Sequence, residues 1–130
     1  MGSDVKLRSA LGRARGLGSA REGVGHFYAQ RATAIGMIPL SLWFVISVIG
    51  LTHADYATLL DWVGQPLNAT LLSLTVLTAM YHAQLGVEVV IADYVHGETL
   101  KFTLLTASTM AAFLLGAVMV VSILKVAVGV

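Results

Sequence analysis

A histidine, an aspartate and a tyrosine stand at positions 82, 93 and 94, inside or at the edge of a long apolar run, with Glu88 between them. Each side chain could do chemistry. Neutral imidazole is a strong ligand for haem iron, and haem is an apolar plate suited to a helix bundle in lipid. A tyrosine hydroxyl can donate to a carbonyl oxygen, and a carboxylate beside it can orient it or pass protons. Residues eleven apart on an α-helix are rotated by about 1100°, three turns plus roughly 20°. His82 and Asp93 therefore share a face, about 16 Å apart along the axis. Thr75, Thr78, Gly86 and Val89 fall near the same line. Gly86, one turn past His82, removes a side chain that a macrocycle plane would strike. Glu88 lies about 120° off this seam.

Residue types and spacing leave alternatives open. His82 either ligates iron or hydrogen-bonds a neighbouring helix. Asp93 and Tyr94 either form a binding pair or are a solvated carboxylate beside an interfacial aromatic anchor. Glu88 suits a contact to a partner helix, or a protonated form, better than catalysis. A proton relay through Glu88 and His82, in a small transporter or proton-conducting subunit, is the competing function. If His82 binds haem, a second axial ligand is needed. His26 precedes the first apolar span, His53 follows it, and His96 ends the same helix as His82. The second ligand then comes from another chain.

These side chains must be positioned by helices in a membrane. Of the 130 residues, 57% are hydrophobic and 12% are charged, against about 25% charged in soluble domains. The length allows one compact unit. The chain has no cysteine, which excludes disulfides, thiolate metal sites and cysteine-ligated iron–sulfur clusters within it. About twenty apolar residues cross a bilayer core, and three segments qualify, over 32–51, 67–95 and 99–126. The expected fold is all-α, three transmembrane helices forming half of a heterodimeric membrane bundle. Pro39 lies near the first turns of the first span and is expected to kink it. Ionisable groups within a span cost about 3 kcal/mol each in lipid, so they must face protein, cofactor or water. Partners are therefore expected.

Residues 1–31 read as a basic arm, with Lys6, Arg8, Arg13, Arg15, Arg21 and Arg31 against Asp4 and Glu22. No apolar signal core lies within it; a mitochondrial transit peptide is the other reading of this segment. The loop at 52–66 holds two aspartates and no lysine or arginine, while Lys101 follows the second span. The excess of cations places the N-terminus and the Asp93–Lys101 loop in the cytoplasm, or the matrix if mitochondrial.

The run His82-x3-Gly86-x6-Asp93-Tyr94-Val95 resembles the second helix of the small membrane-anchor subunit of succinate dehydrogenase. The segment "GSAREGVGHFYAQRATAI", residues 18–35, resembles the stretch before the first helix in anchors of the α-proteobacterial type. The resemblance implies a four-subunit complex of the respiratory chain in the bacterial inner membrane. In such a complex a flavoprotein oxidises succinate, an iron–sulfur subunit carries electrons, and ubiquinone is reduced at the membrane surface. This chain and a second three-helix cytochrome b subunit would share haem b, with His82 as one axial ligand. Tyr94, with Asp93 beside it, would belong to the ubiquinone site. Arg31 would lie near the haem propionates or the quinone pocket. The chain itself would perform no succinate chemistry, and no nucleic-acid partner is implied. Glu88 stands where an aromatic or apolar residue is expected, and the resemblance gives it no role.

Overall fold

The computed structural model describes residues 20–130. Among these residues there are four helices, in the order α1 (Ala20–Gly50), α2 (Tyr56–Gly64), α3 (Pro66–Tyr94) and α4 (Glu98–Val128). Three of them, α1, α3 and α4, are long and apolar enough to cross a membrane. The chain is a multi-pass membrane protein. The second and third spans coincide with α3 and α4 to within about two residues, inside the usual fraying of helix ends.

The first span differs. Helix α1 begins at Ala20 rather than at 32, so residues 20–31 of the expected arm are helix. The rest of that arm lies outside the described residues. At 1.5 Å per residue the 31 residues of α1 extend about 46 Å, well beyond the ~30 Å hydrocarbon core. This helix therefore projects past the lipid. Pro39 falls mid-helix, not near its start, and α1 runs on through it. Just past it, the Ser41 hydroxyl donates to the Met37 carbonyl at 2.6 Å.

The loop expected over 52–66 also holds structure. Asp55 caps α2 by accepting from the Thr58 backbone N–H at 2.9 Å. Hydrogen bonds from the Thr58 side chain and then its backbone N–H hold the Asp55 carboxyl below its ordinary pKa, because they stabilise the anion. Helix α2 packs on α4 and α3, and its Trp62 stacks on Trp43 of α1, ring centroids 5.7 Å apart and 18° from parallel. Buried Asn68 donates from Nδ2 to the Trp62 carbonyl at 2.8 Å and so ties the end of α2 to α3.

Helix α3 is the middle element. It packs on both α1 and α4, which do not pack on each other. Small residues allow the close approaches. A Cβ added at Gly36 on α1 would sit 3.9 Å from Thr78, and one at Gly116 on α4 would sit 3.6 Å from Met80. At the α3–α4 turn, Lys101 Nζ donates to the Ala92 carbonyl at 3.0 Å. Helix α4 ends on Gly129, whose φ of 77° lets its N–H turn back to the Lys125 and Val126 carbonyls.

Among the described residues only Ala69 and Leu85 are buried apolar side chains. So small a core cannot account for such apolar helices in water. Their outer faces are made for lipid and for other proteins. The hydroxyls on them are satisfied within their own helices, as where Thr70, Thr75, Thr103 and Ser122 each donate to the carbonyl four residues back. Such local bonds spare polar groups an unpaired state in lipid.

Candidate functional site

His82 lies mid-way along α3 and is half-buried against α1. Its Nδ1 is 2.9 Å from the Thr33 hydroxyl, a contact between residues forty-nine apart in the chain. Among the described residues its Nε2 has no hydrogen-bond partner. Both readings of this histidine are thus compatible with one ring. One nitrogen bonds a neighbouring helix and the other is left over. Beyond it, a Cβ built on Gly86 meets nothing within 4 Å, so the space one turn from His82 is open.

The rest of the seam is only partly polar in effect. Thr75 spends its hydroxyl proton on the Leu71 carbonyl at 2.7 Å, and Thr78 turns a methyl to Gly36. Asp93 and Tyr94 close α3 on the end that bears Lys101, and both are exposed, Tyr94 at 78%. Lys101 is held by the Ala92 carbonyl rather than by Asp93. Arg31 lies over the Phe27 ring, 5.2 Å from its centroid. Two residues on a helix differ by about 200°, so Arg31 is on the far side of α1 from Thr33 and makes no contact with His82.

Glu88 belongs to a second polar cluster. Gln84, buried on α3, donates from Nε2 to Thr109 Oγ1 at 2.9 Å, Ser108 Oγ at 3.2 Å and Glu88 Oε1 at 3.3 Å. The other Glu88 oxygen faces His26 Nε2 on α1 at 3.5 Å. Glu88 thus joins α3 to α1 directly and to α4 through Gln84. Glu88 and His82 share no hydrogen-bond partner. The groove beside the cluster, about 560 Å³, is walled largely by Leu77, Met80, Ala112, Phe113 and Gly116. Tyr81, Gln84, Glu88 and Thr109 also line it.

The model of the succinate dehydrogenase/fumarate reductase transmembrane subunit family matches residues 6–124, which takes in Arg31, His82, Asp93 and Tyr94. The chain belongs to that family. It is 35% identical over 101 residues to the succinate dehydrogenase hydrophobic membrane anchor subunit of Rickettsia bellii, covering 78% of this chain and 81% of that one. The protein of the same name from Paracoccus denitrificans is 35% identical over 88 residues, 68% of each chain. That of Rickettsia conorii is 32% identical over 100 residues, 76% of this chain and 79% of its own. No solved structure matches.

For a transmembrane subunit of this family, the unforeseen residues are those that His82 and Glu88 meet. Thr33 carries no local mark of a partner on α3, since it stands between Ala32 and Ala34 in the chain. Gln84 is visible as a polar residue in an apolar run, yet its neighbours Ser108 and Thr109 look like ordinary helix hydroxyls. One further group stands out. Gln30 Oε1, one turn before Thr33, is buried with no hydrogen-bond partner among the described residues.

Proposed function

We propose that this chain is the hydrophobic membrane anchor of a succinate:ubiquinone oxidoreductase. It docks the flavoprotein and iron–sulfur subunits, gives one axial ligand to a haem b shared with a second three-helix subunit, and forms part of the ubiquinone-reduction site. The observation that carries this reading is the His82 ring, mid-span in a helix of this family, tied at Nδ1 and without a partner at Nε2 among the described residues.

The residues fit the group. A neutral imidazole nitrogen is the right donor for a low-spin iron, and Gly86 leaves space beside it. Of the other three histidines, His26 faces Glu88 and His53 and His96 lie in the connections between helices, so the counterpart of His82 comes from the partner. When bound, the haem supplies a one-electron redox centre within the membrane. This chain's part is to hold one face of it at a fixed depth. Arg31 is the cation of this chain for a propionate or the quinone pocket, a role for which a guanidinium suits by charge and bidentate bonding.

Tyr94 and Asp93 work at the surface. The Tyr94 hydroxyl donates to a quinone carbonyl and favours charge developing on that oxygen. Asp93, about 100° round the helix from it, shapes the pocket and passes protons from solvent. The exposure of both side chains leaves them open to a substrate and to the iron–sulfur subunit. Arg31 and Lys101 mark this end of the bundle as cytoplasmic, and the Asp55–Asp61 end faces the other compartment.

Purification in mild detergent through a tag on this chain tests the whole reading. A flavoprotein, an iron–sulfur protein and a second three-helix subunit are expected in equal amounts, with succinate–quinone activity. Recovery of this chain alone, from membranes that retain that activity elsewhere, would overturn it.

A further inference from the structure

The Thr33 hydroxyl has three polar neighbours and one proton. It lies 2.7 Å from the Ala29 carbonyl, 3.1 Å from the Gln30 carbonyl and 2.9 Å from His82 Nδ1. Two oxygens do not approach to 2.7 Å without a proton between them, and a carbonyl has none to give. The hydroxyl proton is therefore committed to the backbone of α1. What Thr33 turns to His82 is an oxygen lone pair. A hydrogen bond at 2.9 Å then requires that Nδ1 carry the proton, and in a neutral ring Nε2 is left with the lone pair that a metal needs.

We propose that Thr33 is a positioning residue for His82, selecting the Nδ1–H tautomer and aiming Nε2 out of the α1–α3 contact as the ligating atom. This rests on the haem reading above and adds to it the residue that makes His82 competent before any iron arrives. Ligating histidines are commonly held this way, through the nitrogen that does not bind metal. Two features make the device rigid. Thr33 is locked to its own helix by the Ala29 bond, and β-branching restricts its χ1.

The bond also has an electronic consequence. An acceptor at Nδ1–H makes the imidazole a stronger donor, which favours the ferric state. Thr33→Val keeps the shape, removes the acceptor, and leaves Nδ1–H unpaired. The haem midpoint potential should rise, the low-spin electron paramagnetic resonance g-values should shift, and haem per flavin should fall under detergent washing as affinity drops on the order of 10-fold. Thr33→Ser restores the oxygen and should restore all three.

The measurement is made on the purified complex. A wild-type potential and unchanged g-values in Thr33→Val, with haem at its normal level, overturn the proposal. So does a Thr33→Ser complex that behaves like the valine variant. If wild type itself shows no haem, it is the haem reading that fails. Where Thr33→Val does not assemble, 15N NMR of the reduced wild-type complex with labelled histidine decides. A proton on His82 Nδ1 hydrogen-bonded to an oxygen is expected, and a proton-free Nδ1 contradicts it.

Discussion

The Gln84 amide donates to the Thr109 hydroxyl across 2.9 Å, and this bond ties α3 to α4 within an almost wholly apolar contact. Its second proton is shared between Ser108 and Glu88. Interhelical hydrogen bonds in membranes are each worth about 0.6 kcal/mol, and up to ~1.7 kcal/mol. Gln84→Leu should therefore destabilise the chain by about 1 kcal/mol in a denaturant titration in detergent. Thr109→Val should cost less, because Gln84 keeps two other acceptors. Equal stability of wild type and Gln84→Leu would show that the cluster is not a clamp.

Trp62→Ala should release α2 without disturbing the spanning helices. Aromatic stacking contributes about 1 kcal/mol beyond area burial, which is large for a nine-residue helix. Hydrogen exchange of residues 56–64 should accelerate several-fold while that of α3 is unchanged. Uniform acceleration of both would place Trp62 in the fold of the whole chain instead.

The cap of α2 should be pH-sensitive. The Asp55 pKa is lowered in the folded chain by its bonds from Thr58, so its contribution is complete above the ordinary carboxylate range. It is lost as pH falls through the lowered value. Exchange of the Thr58 amide, extrapolated for the intrinsic pH effect, should lose protection on acidification. Asp55→Asn keeps a side-chain acceptor and should flatten that dependence. A wild-type profile already flat would exclude Asp55 as the titrating cap.

Tyr94→Phe removes one donor and little else, since the side chain is exposed. One hydrogen bond of about 1.4 kcal/mol to a quinone carbonyl corresponds to ~10-fold in rate. Ubiquinone reduction should fall by about that factor, while succinate oxidation by an artificial acceptor stays normal. Loss of both activities together would point to failed docking rather than to quinone binding.

The spans were legible because a run of about twenty apolar residues is long enough to cross a bilayer and too apolar for a soluble surface helix. Helix α2 was hidden, since nine residues do not cross a bilayer and the aspartates there read as loop. The signal was present in Asp55 three residues before Thr58, the spacing of a helix cap. The start of α1 was obscured by Gly23, Gly25 and the charges around them, although glutamine, alanine and arginine there favour helix. The site was half legible. Helical periodicity put His82 and Asp93 on one face, but only the packing of α1 on α3 could bring Thr33 to the imidazole. Glu88 likewise acquired its neighbour His26 from the bundle, not from its own surroundings in the chain.

The most direct test of haem ligation by this chain is a reduced-minus-oxidised optical spectrum of the intact complex, wild type beside His82→Leu. A b-type haem band is expected in the wild type and its loss in the variant, with all subunits still assembled. An assembled wild-type complex with no haem band, or a band unchanged in His82→Leu, would contradict it.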